Sequence, residues 1–177
     1  MPTRYLWIVL DSTGSNPHEL LARHHSSRLL IVQNVLNASV EINQKIVGKI
    51  SHGFCVFVGF TNGDNEYIVD KMVDKLVNMR VFMDENGKTN LSLKDINGEI
   101  LSISQFTLYA SFKEGRRPSF VDALKPTEAS KLYSYFNESL KNHNINIATG
   151  QFGADMKISL VNDGPFTSIL DSKELIK

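Results

Sequence analysis

The run Phe54-Cys55-Val56-Phe57-Val58-Gly59-Phe60 is apolar from end to end, long enough for a buried β-strand and far too short to cross a bilayer. The sequence around it supplies further strands and two helices. Leu29 to Val35 and Ala38 to Ile42 are β-rich, and Asn43-Gln44 makes a tight turn into Lys45 to Ile50. Ile68, Val69, Met72, Val73 and Leu76 recur at helical spacing and predict an amphipathic helix from Asn65 to about Arg80. Asp64 serves as its N-cap, and Asp70, Lys71, Asp74 and Lys75 lie on the solvent side. Val81 to Met83 reads as a short strand, Asp84 to Gly87 and Asn97-Gly98 as turns, and Glu99 to Ala110 as one long strand. A second helix is predicted from Pro126-Thr127 to about Lys141, with Ala129, Leu132, Tyr133, Phe136 and Leu140 on one face. Met156 to Val161 and Phe166 to Leu170 then read as two strands flanking Asn162-Asp163-Gly164-Pro165. Strands alternating with two helices, with no internal repeat or linker, predict a single α/β domain with its helices laid on a sheet.

With 177 residues the chain suits one ordinary domain. Residues 1–27 differ in character: turn formers fill Asp11 to Pro17, and the apolar stretch Tyr5 to Leu10 is too short for a secretory signal. They read as a poorly ordered appendage, or a non-native start, ahead of a domain spanning 28–177. Nineteen Lys and Arg balance nineteen Asp and Glu, so no global field gathers nucleic acid and indiscriminate binding to long duplexes, DNA included, is not expected. A local patch gripping one end of an RNA remains compatible with that balance. The lone cysteine, Cys55, reads as a packing residue and fits a reducing cytosol.

The common catalytic signatures are absent. There is no phosphate-cradling glycine loop, no dinucleotide fingerprint, no nucleophile elbow and no Cys-x-x-Cys or His-Glu-x-x-His, so neither cofactor nor metal is expected. His18, His52 and His143 lie in loops or at element ends and read as surface histidines, and His24-His25 lacks partners at metal-ligand spacing. Two local features stand out. Ser104-Gln105-Phe106-Thr107-Leu108 sets three hydrogen-bonding side chains in an apolar stretch. As a strand it would face Ser104 and Phe106 one way, Gln105 and Thr107 the other. A buried polar group without a partner costs about 1–3 kcal/mol, so such a cluster wants internal partners or a ligand. The second feature is Gly164-Pro165, which on its own reads as a tight turn.

Together these features resemble the paired signatures of the D-aminoacyl-tRNA deacylase family. Its Ser-Gln-Phe-Thr-Leu motif stands unbroken at Ser104 to Leu108, and its Asn-x-Gly-Pro-Val-Thr motif is matched by Asn162 to Thr167 with Phe166 for valine. Gly115-Arg116-Arg117-Pro118-Ser119-Phe120, Gly150 to Met156, Leu91-Ser92-Leu93 and Asn97-Gly98-Glu99 fall in register with it, from Arg28 to about Asp171. The resemblance implies a three-layer α/β fold, with mixed β-sheets and two main helices packed on one side. It implies a cytoplasmic homodimer whose active sites lie at the interface, each subunit inserting Gly164 and Pro165, in the cis form, into its partner's pocket. Excluding L-residues about 10⁴-fold takes roughly 5.5 kcal/mol, and main-chain atoms held where an L side chain would project cannot swing aside as a side chain could. Glycyl-tRNA, with nothing to clash, is then a secondary substrate.

By the same resemblance Ser104, Gln105, Phe106 and Thr107 form the catalytic segment. Thr107 lacks an evident base, and the favoured reading is attack by water assisted by the terminal adenosine's 2′-hydroxyl, with backbone N–H groups near Phe106 and Thr107 steadying the oxyanion. Lys113, Arg116 and Arg117 would meet phosphates of the acceptor end. Phe120, Phe152 and Met156 would line the substrate pocket, although core packing is the plainer role for the two rings. Neither a membrane nor DNA is an expected partner. Competing readings are a relative that clears L-alanine from threonine tRNA, a degenerate module that binds tRNA ends without cutting, and a general serine esterase. Three departures from the family stand out: the extra residues 1–27, Asn34 where an arginine usually follows Gln33, and Phe166 in the valine position. An arginine bracing the partner's Gly-Pro loop would be lost with Asn34.

Overall fold

The computed structural model describes residues 29–175; the expectations for residues 1–27 lie outside them. Strands β1 (Leu29–Ile42), β2 (Lys45–Ile50) and β3 (Gly53–Gly59) come first, followed by helix α1 (Glu66–Asn78) and the hairpin β4 (Arg80–Met83) and β5 (Thr89–Ser92). Then come β6 (Glu99–Ser104), a 3₁₀ turn (Phe106–Tyr109), α2 (Pro126–Asn142), β7 (Ile147–Thr149), β8 (Lys157–Asp171) and the short α3 (Ser172–Leu175). The main sheet runs β2-β1-β3-β6-β7, with β8 along the other edge of β1. β1 pairs antiparallel with β2, β3 and β8, whereas β3–β6 and β6–β7 are parallel, so the sheet is mixed.

Strand alternation divides the core into two clusters. Phe54, Val56 and Val58 of β3, Leu30 and Val32 of β1 and Ile100 of β6 face both helices. Cys55, Leu101 and Ile103 face the opposite way, towards Val35, Ala38, Val40 and Ile50. β1 changes parity between Val32 and Val35, where its register with β8 shifts. The sheet curls enough to bring Gly48 of β2 against β7: a Cβ there would lie 3.0 Å from Thr149 O and 3.3 Å from Ala148 Cβ. The molecule is therefore a three-layer α/β fold, with α1 and α2 on one side of the sheet and the curled strands on the other.

Helix α1 buries Val69, Met72, Val73, Leu76 and Val77. Its N-cap is Asn65 rather than Asp64: Asn65 has extended backbone, and its Oδ1 accepts from Ile68 N at 3.1 Å. The Asp64 carboxylate turns back instead and accepts from Thr61 N at 2.9 Å. Pro126 opens α2, where its missing N–H costs nothing. Asp70 of α1 accepts hydrogen bonds from Tyr135 Oη and Ser139 Oγ of α2, tying the helices at their exposed seam.

The long strand expected from Glu99 to Ala110 stops at Ser104. Gln105 N donates the last rung to Val58 O at 2.8 Å, and the chain then coils, with Ala110 N donating to Thr107 O at 3.0 Å. The strand-like facing of Phe106 and Thr107 is accordingly replaced by a turn. The two separate C-terminal strands form one long β8, from which residues 163–166 leave the ladder: Val35 faces Asn162 while Gln33 faces Thr167. Leu29 to Ile42 is likewise one continuous strand. Strands β5 and β7 and helix α3 were not expected from the sequence.

Candidate functional site

A cleft of about 660 Å³ opens where β3 and β6 end side by side, the C-terminal edge of parallel strands at which α/β folds collect ligands. Val58, Phe60, Ile103, Leu124 and Ile158 give it apolar walls, and Ser104, Gln105 and Phe106 form one rim. Phe120, the start of α2 (Lys125, Pro126, Ala129) and Phe152 to Met156 close the other sides. The Phe106 ring is 57% exposed and meets Phe120 edge-on, centroids 4.9 Å apart. These rings offer a flat apolar ligand two aromatic surfaces.

The 3₁₀ turn is positioned from below. Tyr133 of α2 donates from Oη to Ser102 O at 2.8 Å, and its ring lies 6.0 Å from that of Phe152. Burial raises the pKa of the Tyr133 phenol by desolvation, against the opposing pull of its hydrogen bonds, and so keeps it protonated. Gly59 at the end of β3 lets the turn settle on the strand: a Cβ there would sit 2.8 Å from Tyr109 Cε2 and 3.2 Å from Gln105 O. Gly59→Ala should therefore shift the Ser104–Tyr109 segment and lower kcat/KM by about ten-fold or more, with a smaller loss of thermal stability. Steady-state kinetics and a melting curve on the same preparation check this.

At the start of the turn, no acceptor within the described residues takes the N–H of Phe106 or Thr107, as expected for the first donors of any helical turn. The Gln105 side-chain amide donates to Thr107 Oγ1. Thr107 is exposed and does not line the cleft, and among the described residues no ionisable side chain bonds its hydroxyl. Burial pushes the Cys55 thiol up to about 12, which removes it as a nucleophile. No group of three or more His, Cys, Asp or Glu among the described residues is placed to hold a metal.

Of the residues singled out from the sequence, Ser104, Gln105, Phe106, Phe120, Phe152 and Met156 converge on this cleft. Lys113, Arg116 and Arg117 are exposed on a loop closed at its base by paired Ser111 and Ser119. Gly164 and Pro165 are exposed on the excursion of β8, joined by a cis peptide bond, and neither lines the cleft of its own chain. Asn162 Oδ1 accepts from Phe166 N at 2.9 Å across the base of this excursion, and His52 Nε2 lies 3.8 Å from Asp163 Oδ2. Asn34 is only 4% exposed and faces inward, its Nδ2 donating to Val81 O at 2.9 Å, so it ties β1 to β4. Sequence reasoning missed Lys125, Ala129 and Ile158; their lining role depends on how separate elements meet.

A family model described as D-Tyr-tRNA(Tyr) deacylase matches residues 31–171. Among curated proteins, the D-aminoacyl-tRNA deacylase of Lactobacillus acidophilus is 54% identical over 142 residues, covering 80% of this chain and 98% of the relative. That of Thermosipho africanus is 50% identical over 145 residues, covering 82% and 97%. A solved c-Myc DNA unwinding element binding protein superposes with a TM-score of 0.75 at 37% identity, covering 80% of this chain and 97% of its own. A probable eukaryotic D-amino acid tRNA deacylase shares the fold, with a TM-score of 0.72 at 18% identity over 82% of this chain and 99% of its own.

Proposed function

The chain belongs to the D-Tyr-tRNA(Tyr) deacylase family, and on that premise we propose that its cleft receives the aminoacylated 3′ end of tRNA and hydrolyses the ester of D-aminoacyl-tRNA. The enzyme is a hydrolase acting on a carboxylic ester. The observation that carries the proposed placement is the rim of the cleft: Ser104, Gln105 and Phe106 lie at the mouth of an apolar chamber, beside two N–H groups with no acceptor among the described residues.

In this reading water attacks the ester carbonyl carbon, and the developing oxyanion is met by the N–H groups of Phe106 and Thr107. The bond from that carbon to the ribose oxygen then breaks, releasing free D-amino acid and a tRNA with its 3′-hydroxyl restored. The adenosine's own 2′-hydroxyl assists the proton transfers, and the protein contributes positioning. Phe120, Phe152 and Met156 shape the chamber, and Lys113, Arg116 and Arg117 approach phosphates behind the terminal nucleotides.

Selection is by exclusion. Gly164 and Pro165 present main chain on an exposed excursion outside their own cleft, an arrangement suited to entry into the cleft of a second copy in a homodimer. There they would occupy the space into which an L side chain projects, and D-residues and glycine would pass. Cutting D-aminoacyl esters before they reach the ribosome is translational quality control, a cytoplasmic task.

The deciding experiment measures deacylation of D-tyrosyl-, L-tyrosyl- and glycyl-tRNA by the purified chain at near-physiological salt. Rapid loss of the D-ester, slower loss of the glycyl ester and survival of the L-ester are expected. Loss of L- and D-esters alike would overturn the filter. Binding of tRNA with no ester cleavage would leave a tRNA-end-binding module, and preferential loss of L-alanine from threonine tRNA would assign the other editing activity.

A further inference from the structure

The Gly164–Pro165 excursion has a second tie besides the Asn162 amide across its base, and the motif itself does not supply it. His52 sits in the turn between β2 and β3, and its Nε2 lies 3.8 Å from Oδ2 of Asp163, the residue immediately before Gly164. The imidazole is not loosely placed. Glu99 N donates to His52 O at 3.1 Å, and the edge of the Phe82 ring meets the imidazole at 5.2 Å and 81°. Phe82 is in turn stacked on buried Phe54. The ring is thus held from the core side and directed at the excursion.

Charged groups on neighbouring elements have partners of their own or stand exposed. The Glu99 carboxylate accepts from both N and Oγ of Ser51, each at 2.7 Å. Arg80, on the strand that carries Phe82, donates to Asn90 O at 2.6 Å. Lys49 is exposed on β2. Asp163 is the carboxylate that the imidazole reaches, and the pair is ionic when His52 is protonated.

We propose that His52 is a positioning residue for the Gly164–Pro165 excursion, holding it through Asp163 so that discrimination between D- and L-esters depends on the charge of the imidazole. This rests on the reading of that excursion as the chiral filter. Both side chains are 46% exposed, so the effect is modest: an exposed ion pair changes an equilibrium by a factor of about two to five. Its readout is specificity rather than turnover, because the D-ester does not press against the filter. The pair is ionic only when the imidazole carries its proton, so a pH-dependent ratio is the signature of a charge-based tie.

The test is the ratio of D- to L-tyrosyl-tRNA deacylation, each corrected for uncatalysed hydrolysis, across about pH 5.5 to 8. It compares the full native chain with His52→Ala, His52→Gln and His52→Lys. In the native chain the ratio is expected to fall roughly two- to five-fold as pH rises. His52→Ala and His52→Gln should show the low ratio at every pH with D-ester turnover nearly unchanged, and the permanent cation of His52→Lys should restore the high ratio without the pH dependence. A native ratio and pH profile in His52→Ala would overturn the inference and leave the filter standing. Failure of His52→Lys to rescue would overturn the charge-based tie. A native chain with no preference for the D-ester at any pH would remove the filter and this inference together.

Discussion

Replacing the terminal adenosine of D-tyrosyl-tRNA by its 2′-deoxy form is expected to bring turnover close to the uncatalysed rate, while Thr107→Ala stays within a few-fold of the native chain. A threonine hydroxyl is a weak nucleophile unless a base withdraws its proton. Here the Thr107 hydroxyl accepts from the Gln105 amide, which is a donor and removes nothing. Thr107 also stands outside the residues lining the cleft. The neighbouring backbone offers what a developing oxyanion needs, two amide donors with no acceptor among the described residues, but no proton acceptor for the attacking water. In the proposed mechanism the substrate's 2′-hydroxyl supplies that function, and well-placed acid–base assistance is worth about 10²–10⁴-fold, which sets the expected loss. Single-turnover hydrolysis of the two RNAs, with a melting curve for Thr107→Ala, measures it. Loss of activity in Thr107→Ala with full activity on the deoxy substrate would restore the side-chain nucleophile.

Periodicity made part of this arrangement legible. The apolar spacing of Val69, Met72, Val73 and Leu76 and of Ala129, Tyr133, Phe136 and Leu140 fixed α1 and α2, because helical spacing survives without knowledge of what the helix packs against. The end of β6 was not legible in the same way. Phe106 and Leu108 alternate as they would in a strand, and what stops the strand is a rung to Val58 and the room left by Gly59, both distant in sequence. Asp64 and Asn65 are both good cap residues, and the backbone angle at Asn65 decides between them. Strands β5 and β7, at four and three residues, are too short to display a period. Within the site, the motif residues Ser104 to Phe106 and the aromatic residues Phe120 and Phe152 could be named from the chain alone. Lys125, Ala129 and Ile158 come from elements that meet only in the fold. His52 looked like any surface histidine until the fold set it beside Asp163.

The other large expected effect lies one residue from His52. Gly53→Ala should yield no folded protein, whereas Gly63→Ala should fold and lose about 1–2 kcal/mol. Both glycines have positive φ, +156° and +91°, but their surroundings differ. At Gly63 an added Cβ meets nothing within 4 Å, so the cost is the backbone conformation alone. At Gly53 it would lie 2.0 Å from Glu99 O and 2.6 Å from Glu99 N, main-chain atoms with no rotamer in which to retreat. Gly53 and Glu99 are the first paired residues of the parallel β3–β6 ladder, and the next pair is Phe54 with Ile100, both fully buried. Making room for the methyl separates those strands at the centre of the core. A defect of that kind exceeds about 4–5 kcal/mol, comparable with the roughly 5–15 kcal/mol that holds a typical domain together. Soluble yield, far-ultraviolet circular dichroism and thermal melts of the two variants separate the cases. A cooperative, near-native melt for Gly53→Ala would refute the close β3–β6 approach, and with it the anchoring of the cleft, whose wall residue Val58 and rim residue Ser104 pair at the far end of the same strands.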